Sequence, residues 1–234
     1  MANAVEFHAF GTKETFETEA ADWIETRLAD ALSRRGKASI FCSGGSTPGP
    51  IYESLSEIGL AWKNITVGLA DERWVDESHD ASNAALVRRT LLQNKAAEAQ
   101  FLPMKMAHDS AFGAEAELDA TYGGPAHVID VLILGMGQDG HTLSWFANAK
   151  GLDAALDPAA TLSVAAIKAQ KSKVTGEITE RMTLTYPAVA RARSILLLMS
   201  GDRKKSVFEA ANPAHPVSSM RKAAGKALTV FYRS

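Results

Sequence analysis

The sequence predicts an α/β protein with a mostly parallel sheet inside three layers, α/β/α. Three observations carry this. Short runs rich in apolar and β-branched residues alternate with longer amphipathic stretches along the 234 residues. The short runs are mostly continuously apolar, as strands buried on both faces must be. Their alternation with helices implies right-handed crossovers that put helices on the sheet faces.

Each element can be justified in order. A strand is expected at 5–10. A helix follows at 15–34, where Phe16, Ala20, Trp23, Ile24, Arg27, Leu28 and Ala31 recur near the helical period. Strand 38–42 runs into Ser43-Gly44-Gly45-Ser46-Thr47-Pro48 and a helix at 50–58. Strand 65–70 runs into Asp71-Glu72-Arg73-Trp74, with a helix at 82–92. A helix at 110–122 closes on the turn Gly123-Gly124-Pro125. The apolar strand 128–134 ends in Gly135-Met136-Gly137-Gln138-Asp139-Gly140-His141. Strands at 162–166 and 182–185, a helix at 187–192, a strand at 195–199 and a helix at 203–211 follow. The loop 212–216 and a strand at 228–232 complete the reading. No repeat, low-complexity tract or linker divides the chain, so one Rossmann-like domain over 1–234 is expected.

Composition excludes several function classes. Twenty-five Lys+Arg against 27 Asp+Glu leave a net charge of −2, with no general pull toward nucleic acid or anionic lipid. A 46% hydrophobic content is too high for a disordered chain. Cys42 is the single cysteine, which rules out an intramolecular disulfide and a multi-thiolate zinc site. No signal peptide is evident at the start. The apolar runs 128–136 and 195–199 fall far short of the roughly 20 residues that span a bilayer. A cytoplasmic location is expected, with no nucleic acid or membrane partner.

In open α/β sheets ligands bind beyond the carboxyl ends of strands, so the segments there are the informative ones. Ser43–Pro48 combines two glycines, two hydroxyls and a helix N-terminus, a plausible anion cradle. It lacks the Gly-Lys-Ser/Thr ending of a Walker loop, and an ordinary strand-to-helix turn fits it equally. Asp71-Glu72-Arg73 offers acids and a planar guanidinium that grips phosphate or carboxylate. Taken alone it reads first as a surface ion pair. Gly135–Gly140 matches the spacing G-x-G-x-x-G, but Asp139 would set a carboxylate against a dinucleotide pyrophosphate. It reads better as a glycine-rich turn presenting His141 as a general base with Asp139 as its orienter. A lone histidine is by default structural; its place after a buried strand and beside three glycines points to function. Gly201-Asp202-Arg203-Lys204 puts cations in the first turn of a helix, which suits a bound anion or a solvated basic face. Lys168, Lys171, Lys173 and Arg181 form a looser basic stretch with the same two readings.

Taken together, these segments resemble the 6-phosphogluconolactonase family. The resemblance rests on Ser43-Gly-Gly-Ser-Thr-Pro, Asp71-Glu-Arg-Trp-Val with Ser82-Asn83, Leu134-Gly-Met-Gly-Gln-Asp-Gly-His141-Thr, Arg181-Met-Thr-Leu-Thr and Gly201-Asp-Arg-Lys204. It runs from about residue 38 to the C-terminus. The wider superfamily includes glucosamine-6-phosphate isomerase/deaminases, which resemble Asp-Glu-Tyr where this chain has Asp71-Glu72-Arg73 and carry a Glu where it has Phe146. The chain also departs from the lactonase pattern: Leu143-Ser144-Trp145-Phe146-Ala147 stands where Ala-Ser-Leu-Phe-Pro is usual.

The resemblance implies hydrolysis of 6-phospho-D-glucono-1,5-lactone in the pentose phosphate pathway, with no metal or organic cofactor. It implies His141, Asp139 and Asp71 as the catalytic set. It implies Ser43, Gly44, Gly45, Ser46, Thr47, Arg73, Lys168, Arg181 and Lys204 as substrate or phosphate ligands. The expected partner is the small sugar phosphate lactone, and the expected assembly a monomer or weak homodimer. An isomerase/deaminase, a nicotinamide oxidoreductase and a non-catalytic sugar-phosphate sensor are the rival readings.

Overall fold

The computed structural model describes residues 5–126 and 128–234. Its strands are β1 (Glu6–Phe10), β2 (Ala38–Cys42), β3 (Ile65–Leu69), β4 (Asp71–Arg73), β5 (Gln100–Phe101), β6 (Val131–Gly135), β7 (Val164–Lys168), β8 (Glu180–Leu184), β9 (Ser194–Ser200) and β10 (Leu228–Arg233). Seven of them form one wholly parallel sheet in the order β1-β10-β9-β6-β2-β3-β5. Every residue of β2 is buried and the centre of β9, Ile195–Met199, is buried throughout, which explains why those runs are continuously apolar.

The helices are α1 (Lys13–Arg35), α2 (Gly49–Ser56), α3 (Asn83–Thr90), α4 (Glu115–Ala126), α5 (Leu152–Leu156), α6 (Tyr186–Ala190), α7 (Asp202–Ala210) and α8 (Pro216–Ala224). Helix α1 follows the expected stripe and buries Phe16, Ala20, Trp23, Ile24, Leu28 and Ala31. The Thr12 hydroxyl caps its start by accepting from the Thr15 N–H (3.2 Å), and Gly36, at φ 70°, ends it.

Three expectations are corrected. The strands expected at 162–166 and 182–185 leave the main sheet. As β7 and β8 they join β4 in a three-stranded antiparallel sheet, order β4-β8-β7. The stretch between β7 and β8 contains no helix, and a parallel crossover needs one or an equivalent length of chain. The turn expected at Gly123-Gly124-Pro125 falls within the last turn of α4, which stops just beyond them. The region after 212–215 is helical rather than loop: Pro216 opens α8, which buries Val217, Met220, Ala223 and Ala224.

The chain path locates the crevice. Strands β2 and β6 are neighbours, pairing Ile40 with Val131 and Phe41 with Leu132. From β2 the chain proceeds to β3 on one side; from β6 it proceeds to β9 on the other. The order therefore reverses between β2 and β6, and the carboxyl ends of these strands open on a switch-point crevice. At the opposite end, buried Asp130 ties the two strands together. It accepts from the Ser39 N–H (3.0 Å), receives the Arg35 guanidinium and lies 3.5 Å from Arg193, while its own N–H donates to Ser39 Oγ (3.1 Å).

Candidate active site

A cleft of about 230 Å³ opens at the switch point. Ser43–Pro48, Asp71, Arg73, Asn83, Leu134–Gly137, His141, Leu143, Leu198 and Lys204 line it. Segments far apart in sequence meet here because strand ends β2, β4, β6 and β9 do.

The loop after β2 supplies one wall. Tyr52 donates its hydroxyl to the Ser43 carbonyl (3.0 Å), fixing the loop to α2. Gly45 takes φ 100°, and a Cβ on Gly44 would overlap the Asn83 side chain, so both glycines are geometrically required. The Ser43 hydroxyl lines the cleft, buried and without a hydrogen-bond partner. Helix α2 follows Pro48, which gives it no side-chain cap, leaving its first N–H groups at the same wall. One residue earlier, Cys42 is fully buried, and burial pushes its thiol up to about 12, which argues against a nucleophilic role.

The Asp71-Glu72-Arg73 segment divides its labour. Asp71 is buried at the cleft wall, where it accepts from Ser144 Oγ (2.6 Å) and Asn83 Nδ2 (3.3 Å). Glu72 faces away. It accepts from the backbone N–H groups of Arg73 (2.7 Å), Asn83 (2.7 Å) and Ala84 (2.8 Å) and from Ser82 Oγ (3.0 Å), so it caps α3. Burial raises its carboxyl above the ordinary value, and these donors limit the rise. Arg73 donates to the Ala81 carbonyl (2.5 Å) and still lines the cleft.

The turn after β6 carries the imidazole. Gly137 N–H donates to the His141 carbonyl (2.8 Å), Gly140 N–H to the Gly137 carbonyl (3.1 Å), and Thr142 Oγ1 to the Gly135 carbonyl (2.7 Å). A Cβ on Gly137 would collide with the His141 ring and the Asp139 carboxylate. Asp139 Oδ1 lies 2.6 Å from His141 Nδ1. Burial raises the Asp139 carboxyl, but the hydrogen bond and charge of His141 outweigh it and hold it below its ordinary value. An ionised carboxylate only accepts, so Nδ1 carries the hydrogen and Nε2 keeps the basic lone pair. Phe146 stacks on the ring, with centroids 4.4 Å apart.

Lys204 rises from the first turn of α7. Its ammonium has no acidic partner among the described residues, and burial holds it below the ordinary lysine value. Two expected phosphate ligands lie elsewhere. Lys168 is exposed at the end of β7, the strand of the small sheet farthest from β4, and does not line the cleft. Arg181 pairs across from Arg73 but turns behind the wall, donating to the Ile178 and Thr175 carbonyls (3.2 Å each), its carbon 5.8 Å from the Phe146 centroid. Burial, then the like charge of Arg73, pushes it down to about 10.

Sequence reasoning gave no role to Asn83, Ser144, Phe146 or Leu198. Asn83 carried a usable signal, standing right after the N-cap Ser82 at a helix start. Of the departures at 143–147, Leu143 alone lines the cleft, at a strained φ of 53°. Trp145 points into the core, donating Nε1–H to the Leu184 carbonyl (3.0 Å), and Ala147 is exposed. Among the described residues no cluster of three or more His, Cys, Asp or Glu side chains could hold a metal, and no helix is long and apolar enough to cross a membrane.

Fold and cleft together define a class: an open parallel α/β protein whose switch point gathers an imidazole paired with a carboxylate, a loop of glycines and hydroxyls, and an ammonium without an acidic partner among the described residues. The chain belongs to the glucosamine-6-phosphate isomerase/6-phosphogluconolactonase family, whose model matches residues 11–229. It is 36% identical over 230 residues to the 6-phosphogluconolactonase of Rhizobium meliloti, covering 96% of this chain and 97% of that one. It is 43% identical over 188 residues to that of Pseudomonas aeruginosa, covering 80% and 77%. A crystal structure of a 6-phosphogluconolactonase from Shewanella baltica superposes with a TM-score of 0.89 at 33% identity, covering 100% of both chains. A monomeric glucosamine-6-phosphate deaminase shares the fold, with a TM-score of 0.76 at 16% identity and 97% of each chain covered.

Proposed function

We propose that this protein hydrolyses 6-phospho-D-glucono-1,5-lactone to 6-phosphogluconate in the pentose phosphate pathway, with His141 as general base. The observation that carries the reading is the Asp139–His141 pair, whose tautomer leaves Nε2 basic in a cleft that also holds Lys204 and the Ser43–Thr47 loop. Nε2 takes a proton from water as the oxygen attacks the lactone carbonyl carbon. The carbonyl electron pair moves to oxygen and the carbon becomes tetrahedral. Collapse breaks the bond to the ring oxygen, which receives the proton back from the imidazolium. Arg73 and the loop N–H groups at Gly44-Gly45 stabilise the oxyanion or hold the phosphate. Ser46, Thr47 and Lys204 take the phosphate, and Asp71, fixed by Ser144 and Asn83, orients sugar hydroxyls.

The relatives' activity supports the same reading, as does Phe146, whose apolar ring stacks on His141 where the resemblance gives the isomerase/deaminases a Glu. The test follows acid release from freshly generated lactone, corrected for spontaneous hydrolysis. His141→Ala is expected to lower kcat by roughly 10²–10⁴-fold with the fold intact. Wild-type turnover in that folded variant would sink the assignment. Ammonia release from glucosamine-6-phosphate would point instead to the deaminase branch.

A further inference from the structure

The turn Gly137–His141 is only partly fixed by its own hydrogen bonds. Gly140, between Asp139 and His141, sits at φ 79°, a region that glycine enters and leaves freely. Two contacts from α8 and the residue before it act on that glycine. The Val217 N–H, in the first turn of α8, donates to the Gly140 carbonyl (2.9 Å). The His215 side chain lies against the Gly140 α-carbon: a Cβ on Gly140 would come within 2.7 Å of Cβ and Cγ of His215. The His215 Nδ1 is buried and has no hydrogen-bond partner. The segment is braced in turn by hydrogen bonds from the His215 N–H to the Asn212 carbonyl (2.9 Å), from the Ser218 N–H to the His215 carbonyl (2.9 Å) and from Ser218 Oγ to the Asn212 carbonyl (2.7 Å).

We infer that His215 is a positioning residue: its ring, with the Val217 N–H, clamps Gly140 and so aims the Asp139–His141 pair at the cleft. The inference rests on the reading of His141 as the base. His215 is not among the residues lining the cleft, so it acts through the turn and not on substrate. The phosphate-binding groups come from other segments, so the clamp bears on kcat and leaves KM alone.

The experiment measures kcat, KM and thermal midpoint for the wild type, His215→Ala, His215→Phe and His141→Ala. A displacement of about 1 Å at a reacting group costs up to roughly 10²-fold in rate. His215→Ala is therefore expected to lose about 10- to 100-fold in kcat, with KM unchanged. His215→Phe, which refills the space without the nitrogen, should regain most of it. Wild-type kcat in folded His215→Ala overturns the inference, as does a loss expressed in KM. His215→Phe as slow as His215→Ala overturns the packing account. Should His215→Ala not fold, His215→Asn takes its place with the same expectations. The two readings separate cleanly: an active His141→Ala sinks the base, whereas an inactive His141→Ala beside a wild-type-like His215→Ala sinks only the clamp.

Discussion

At the scale of single residues, Lys204 sets a positive charge on the cleft wall that the net charge of −2 conceals. Its ammonium is half-buried and unpaired among the described residues, so part of its desolvation is already incurred before an anion arrives. Lys204→Ala should raise KM for the phosphorylated lactone and leave a non-phosphorylated lactone unaffected; equal effects on both would remove Lys204 from the phosphate site. The sign of its pH dependence follows from burial. A lysine held below its ordinary value loses its proton at lower pH than an exposed one. KM should therefore climb on the alkaline side, starting below the usual lysine range. In Lys204→Arg, whose guanidinium stays charged, that climb should vanish. Lys204, which lines the cleft, stood out in the sequence because a cation in the first turn of a helix is locally costly without an anion. Arg181 was legible as a cation but not as one that turns behind the wall, since strand register fixes which face a side chain takes.

Among the elements, α3 depends most on one side chain. Glu72 accepts three hydrogen bonds at the start of that helix, and a fourth from the Arg73 N–H, and is completely buried. Glu72→Gln places an amide among donors, so at least one N–H loses its partner. A loss of about 2 kcal/mol is expected from buried hydrogen bonds to a charged group, read as a lower urea midpoint. An unchanged midpoint would refute the capping role. The main-sheet strands and the long helix α1 could be read from apolar runs and period, because burial on both strand faces and on one helix stripe writes itself into composition. The small sheet could not. The site residues on β4 look like loop residues because charge dominates their composition, and the antiparallel pairing of β7 with β8 depends on the helix-free stretch between them. Helix α8 was hidden by its opening loop, although Val217, Met220 and Ala224 already carry its stripe.

For the molecule as a whole, the sheet separates stability from chemistry. The carboxyl ends of β2 and β6 hold the cleft, while their amino ends are tied by Asp130 to Ser39, Arg35 and Arg193. Asp130→Ala leaves the buried Ser39 N–H without its acceptor and the half-buried Arg35 without its carboxylate, and should cost about 1–3 kcal/mol. In urea titrations the midpoint should fall, with kcat unchanged below the transition. A parallel loss of kcat would show that the two ends are coupled.

The pairing of β1 with β10 also orders events in time. Glu6 reaches across to Thr229, 223 residues away, and among the described residues β1 has no other strand beside it. During synthesis β1 must therefore wait, unpaired, until β10 has been made. Helix α1, which packs on both β1 and β10, waits with it in part. The nascent protein can assemble β2, β3 and β6 around the future cleft long before its edge is closed. Sealing that edge is a long-range step, governed by chain closure rather than by local propensity.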